Sequence, residues 1–213
     1  MRYCPSCHSG GPLDSVRGAR DHPDRYAIVK TPLSLSPRRR ILVAALAWLA
    51  MLGFDFLLHA GVLSRLYTQS SPFLLPPERA FTLIPLGYAS FILLAISLVW
   101  LAPQLQIRSS SGGFIFGLRL GALVWGALVL GLASISTASS SLLLAWFIGQ
   151  TLELGMAGAV VGSALGGMGT RALTVRVLVL VVAAFALTVA LQSLGLAPAA
   201  TVPSAFFYRT PLA

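Results

Sequence analysis

The stretch ILVAALAWLAMLGFDFLLHAGVL, Ile41 to Leu63, is an apolar run long enough to cross a bilayer that carries two ionisable side chains, Asp55 and His59. A transmembrane helix needs about 20 predominantly apolar residues at about 1.5 Å of rise each. Four later stretches meet the same length: Phe81 to Ala102, Gly113 to Ser134, Leu142 to Gly166 and Val177 to Leu196. The expected fold is therefore all-α, a polytopic transmembrane bundle of five spans. Its expected parts are a four-helix core over residues 38–167 and a fifth helix over 168–196.

Composition points the same way. The chain is 56% hydrophobic and only 10% charged, which is more apolar surface than a soluble domain of 213 residues can bury. The formal charge of +9 suggests nucleic acid at first sight, but the basic residues gather at span ends and in the first forty positions. Membrane topology accounts for that distribution, and no nucleic-acid partner is expected.

Lys and Arg are retained on the cytoplasmic side, so their distribution over the loops gives orientation. Counting the residues before the first span together with Arg108, Arg171 and Arg176 gives 11 on one side, against Arg65, Arg79 and Arg209 on the other. The expectation is a multi-pass protein of the inner (plasma) membrane with its N-terminus cytoplasmic and its C-terminus external. Arg38-Arg39-Arg40 reads as a cytoplasmic anchor; the run behind it is too long for a twin-arginine export signal.

Residues 1–37 show no apolar period and read as a mobile cytoplasmic tail. Residues 197–213, with three prolines, read as an external tail. The first tail contains Cys4-Pro5-Ser6-Cys7-His8, the spacing of a c-type haem attachment site. Haem attachment of that kind is an outer-side reaction, opposite to the side that the charges assign. A zinc site on Cys4, Cys7 and His8 or His22 lacks the second Cys or His pair of a closed structural centre. The motif is expected to be reduced and unliganded, with zinc and haem as the alternatives and no cofactor assigned.

Ionisable groups inside spans normally face protein or water, because a charge near the bilayer centre costs about 2.5 to 3.5 kcal/mol even on lenient scales. Asp55 and His59, four residues apart, share one helix face. Counted along the helices at about 1.5 Å per residue, Arg119 lies about 10 Å from the cytoplasmic edge and Glu153 about 13 Å. Gln150 then lies at about 18 Å, Asp55 at about 21 Å, and His59 near the outer interface. These depths predict a polar ladder in which Arg119 pairs with Glu153 and Gln150, Asp55 and His59 continue outward. It reads either as structural pairing or as a proton or ion route.

Gly117 and Gly121 on the third span, and Gly158, Gly162 and Gly166 on the fourth, form GxxxG stripes that permit close backbone approach. Each stripe lies roughly 140° to 180° around its helix from that helix's charged residue. If the charges face inward, the stripes are left for the fifth helix or for another protomer. The loop from Ser64 to Ala80, carrying Tyr67 and Phe73 among prolines, is expected to lie on the outer membrane surface.

The segment Asp55-Phe56-Leu57-Leu58-His59-Ala60-Gly61-Val62-Leu63, followed by Tyr67 and by Pro76-Pro77-Glu78, resembles a group of small, uncharacterised bacterial integral membrane proteins with four core helices. Gly117-Leu118-Arg119-Leu120-Gly121 and Trp146-Phe147-Ile148-Gly149 with Glu153 carry the same resemblance. It spans about residues 38–167 and implies a fold but no activity. Neither the cysteine-bearing tail nor the fifth span belongs to it.

No nucleotide loop, nucleophile elbow or metalloprotease helix occurs, and an enzyme is not expected. The first functional expectation is a structural or accessory membrane subunit, in a homo-oligomer or larger membrane complex, packed through the glycine stripes and a buried polar network and associating also through the outer loop. The alternative is a small proton- or ion-coupled permeation element using Asp55, His59, Glu153 and Arg119. Whether the polar face opens to a cavity distinguishes the two.

Overall fold

The computed structural model describes residues 35–67 and 72–198, and among these the chain is helical with no strand. The Cys4, Cys7 and His8 motif, with most of both tails, lies outside the described residues. The elements are α1 (Pro37–Phe56), a π-helix (Leu57–Val62), α2 (Ser64–Tyr67), α3 (Pro77–Gln104), α4 (Ser110–Ile135), α5 (Ser140–Leu165) and α6 (Thr170–Ser193). Five helical stretches are long and apolar enough to span a membrane. The protein is thus an all-helical transmembrane bundle, as its apolar runs require.

Helix starts follow from local chemistry. The Ser109 hydroxyl accepts the Gly112 N–H at 3.0 Å and the Ser139 hydroxyl accepts the Leu142 N–H at 3.3 Å, so α4 and α5 each begin at a serine N-cap. Pro37 and Pro77 occupy first-turn positions, where their missing N–H costs nothing. At the other end of α6, Gly195 takes φ of 67°, and the Leu196 N–H closes back on the Leu191 carbonyl at 2.9 Å.

The spans alternate in direction. One end of the bundle carries Arg38–Arg40, Arg108 and Arg171, and is here the basic end; the other is the far end. Two arginines tie helix termini across the bundle. Arg39 donates to the Ala164 and Met168 carbonyls at 3.2 and 2.8 Å, closing the C-terminus of α5 at the basic end. Arg65 donates to the Gly195 carbonyl at 2.9 Å beyond the C-terminus of α6 at the far end. In both places a cation meets the negative end of a helix.

Helix α1 is the hub, packing on α3, α5 and α6. Val43, Ala47, Ala50 and Met51 are buried among Leu98, Leu154, Ala157 and Val161 in one apolar core. The fifth span is integral to this core rather than appended. Gly53 sits against Val181, Phe56 stacks on Phe185 with ring centroids 4.2 Å apart, and Gly61 faces Leu191. Helix α6 also starts at Thr170, so Arg171 and Arg176 belong to the helix and not to a loop.

Helix α4 packs almost wholly on α5, and the glycines explain why. A Cβ on Gly117 would fall on the Leu154 carbonyl oxygen, and one on Gly158 on the Gly113 carbonyl oxygen; at Gly121 it would come within 2.9 Å of the Thr151 Cα. The two stripes therefore meet each other inside the chain. This corrects the expectation that they would be free for α6 or a second protomer. Gly162 joins the same seam, and a Cβ on Gly166 would lie 2.6 Å from the Arg108 carbonyl oxygen.

With the glycine faces joined, the charged faces must diverge. Arg119 is exposed on the outer face of α4 and Glu153 is fully buried on α5. The Arg119–Glu153 pair is not formed. Among the described residues Arg119 makes no ion pair or hydrogen bond, and its long stem lets the guanidinium reach toward the basic end.

Candidate functional site

The remaining members of the ladder do converge. The α-helix of the first span gives way after Phe56 to a π-turn, where the Leu63 N–H reaches the Leu58 carbonyl five residues back at 2.7 Å. Insertions of this kind widen the helix and re-aim its side chains. Here the π-turn carries His59, with Asp55 in the last α-turn before it. His59 Nε2 lies 3.1 Å from Asp55 Oδ1, and Gln150 Nε2 lies 3.2 Å from the same oxygen and 3.2 Å from His59 Nε2.

Tyr67 on α2 completes the cluster. Its hydroxyl accepts the Trp146 indole N–H at 2.7 Å and faces His59 Nδ1 at 2.5 Å. Having accepted from Trp146, the phenol can give its own hydrogen to Nδ1, which leaves the imidazole hydrogen on Nε2 for Asp55. The chain then runs Trp146, Tyr67, His59, Asp55, with Gln150 donating to the same carboxylate. Burial, and secondarily the nearby Asp55 carboxylate, push the Tyr67 hydroxyl up to about 12, so it stays a neutral donor.

This arrangement leaves specific atoms unused. Gln150 commits its amide nitrogen to Asp55, and its buried Oε1 has no partner. Trp125 Nε1 and both carboxylate oxygens of Glu153 are likewise buried and unpartnered. Glu153 lies one turn from Gln150 toward the basic end, on the same side of α5. Buried polar atoms are rarely left so, and each costs about 1 to 3 kcal/mol without a partner.

The cluster lines a cavity of about 360 Å³ bounded by Asp55, His59, Tyr88, Phe91, Trp125, Trp146 and Gln150. Ile84, Gly87 and Ser90 of α3 also border it, and all three are exposed, so the cavity opens sideways along α3. Its origin lies in the α4 sequence. Gly113, Gly117, Gly121 and Trp125 recur every four residues, so where the row reaches Trp125 the seam ends and an indole takes the place of a hydrogen atom. Across the cavity, the Trp48 indole donates to the Tyr88 carbonyl at 2.9 Å and holds α3 on α1.

Of the residues anticipated from the sequence, Asp55, His59 and Gln150 are brought together, Glu153 lies just beneath them, and Arg119 is excluded. Tyr67, Trp125 and Trp146 were not anticipated as members. Among the described residues, no group of three His, Cys, Asp or Glu is placed to hold a metal ion.

Fold and site together define the class: a small polytopic helical membrane protein with a polar cluster at the floor of an intramembrane cavity. No family model, curated protein or solved structure matches the chain.

Proposed function

We propose that this protein binds a small amphiphilic molecule within the membrane, its polar head on Asp55, His59 and Gln150 and its apolar part along α3. The observation that carries this reading is the coincidence of unpartnered buried polar atoms with the cavity: Gln150 Oε1 and Trp125 Nε1 belong to residues that line it. A mostly apolar, aromatic recess of a few hundred Å³ with a few convergent polar groups is the ordinary form of a small-molecule site.

The permeation reading is supported less well. A route across the bundle needs polar groups at both ends, whereas beyond Glu153 toward the basic end Val43, Ala47, Val161, Ala164 and Leu173 are packed together. The accessory-subunit reading loses one of its surfaces, because the glycine stripes already cover each other. With the basic end cytoplasmic, as the Arg and Lys distribution favours, the cavity belongs to the outer half of the bilayer.

Purified protein reconstituted in liposomes should leave an imposed pH gradient intact, and solvent extraction should release about one amphiphile per chain. Gly87→Phe, which fills the cavity from a position where an added Cβ meets nothing within 4 Å, should remove that molecule. Collapse of the gradient by the parent but not by Asp55→Asn would favour permeation instead.

A further inference from the structure

We infer that the molecule held in this cavity is a lipophilic ammonium cation, a protonated amine on an apolar body. The inference rests on the binding reading above and adds the charge of the ligand head.

It follows from what the site lacks. Beside one free donor, the Trp125 indole N–H, the recess presents acceptors: the Asp55 carboxyl group and the free Gln150 Oε1, with both unpartnered oxygens of Glu153 one turn below. Among the described residues the only basic group bonded to them is His59, which spans from the Tyr67 hydroxyl to Asp55 Oδ1 and does not reach Gln150 Oε1 or Glu153. Arg119, the one arginine deep in a span, points away. Gln150 Oε1 is thus left without a donor beside the Asp55 carboxyl group, and a primary ammonium supplies three donors and one positive charge to that corner of the recess.

The walls fit the same head group. Trp125, Trp146, Tyr88 and Phe91 all border the recess, and aromatic faces attract a desolvated cation through their quadrupole. Gln150 is 3% exposed, so its orphaned oxygen belongs to the interior of the site and not to its rim. A carboxylate head would meet repulsion from Asp55, and an alcohol would satisfy one acceptor while leaving the charge unanswered.

The experiment compares three heads on one chain, decylammonium, decanol and decanoate, titrated into the full-length protein in zwitterionic nanodiscs and followed by tryptophan fluorescence and thermal shift. Decylammonium should bind saturably at one per chain, decanol at least about tenfold more weakly and decanoate not measurably. Asp55→Asn and, separately, Gln150→Leu should shrink the preference for decylammonium over decanol, a ratio read within one folded sample. Equal binding of decanol and decylammonium, or tighter binding of decanoate, would overturn the cationic head while leaving the cavity as a binding site. Saturable binding of none of the three would overturn the binding reading itself, and this inference with it.

Discussion

The α4–α5 seam and the recess between α1, α3, α4 and α5 share two helices, yet one is closed to the width of a backbone and the other stands open. In the seam, Gly113, Gly117 and Gly121 meet the Leu154 and Gly158 carbonyls and Thr151, with no room for a methyl group. In the recess, Trp125, Trp146 and Tyr88 hold the helices apart around about 360 Å³. Unpartnered buried polar atoms follow the division: Gln150 Oε1 and Trp125 Nε1 belong to residues lining the recess, the Glu153 oxygens lie beneath it, and only Thr151 Oγ1 belongs to the seam. In lipid, association depends on contact and not on apolar transfer, so small residues decide which surfaces close. What they leave open is where chemistry can be placed.

The same substitution in the two regions gives the sharpest contrast. Gly117→Val should abolish the folded bundle or cost at least the roughly 1 to 3 kcal/mol typical of overpacking, because the obstacle is backbone that cannot turn aside. Gly87→Val should leave the melting temperature nearly unchanged, since an added Cβ there meets nothing within 4 Å. Equal losses at both positions would erase the distinction. Arg39→Leu should cost about 1.5 kcal/mol or more by releasing the Ala164 and Met168 carbonyls, measurable as a lower unfolding midpoint.

Glu153→Leu carries the opposite sign. Removing a buried carboxyl group that has no partner should leave stability unchanged or raise it by about 1 kcal/mol. The smallest effect is a coupling: in a double-mutant cycle, Arg119→Leu and Glu153→Leu should be additive within about 0.5 kcal/mol. A coupling of several kcal/mol would restore the pair that depth alone suggested and would turn the glycine faces outward.

That last case shows what was legible in the sequence and why. The five spans were readable because length and apolarity are properties of each segment alone. The contact between Asp55 and His59 was readable from their spacing on one helix. Arg119 and Glu153 were misjudged because depth is one coordinate of three, and matching depth says nothing about azimuth. The glycines and the charges lie on opposite sides of each helix, so α4 and α5 can meet through only one set; on α5 both sides are buried, whereas on α4 the side that carries Arg119 is exposed. The glycines took the interior because backbone contact has no substitute, whereas an arginine can extend along its helix toward the interface.

Tyr67, Trp125 and Trp146 were illegible for a different reason. Tyr67 enters the site from a short helix after the π-turn, and no sequence periodicity marks either feature. Trp146 stands near the start of its span, where a tryptophan reads equally well as a member of an interfacial belt. For Trp125 a signal did exist: it continues the row of Gly113, Gly117 and Gly121 at the same spacing, the point at which a close-packed stripe must open.

The indole N–H groups give the most direct test of the central claim, that the polar cluster faces a site able to receive a ligand. With ¹⁵N-indole labelling, Trp48 and Trp146 report bonded N–H groups, Trp100 an exposed ring and Trp125 a buried N–H without a partner. As decylammonium is added in nanodiscs, the Trp125 and Trp146 resonances should move saturably while Trp48 and Trp100 stay in place. Uniform movement of all four, or a Trp125 resonance that never moves, would contradict the account.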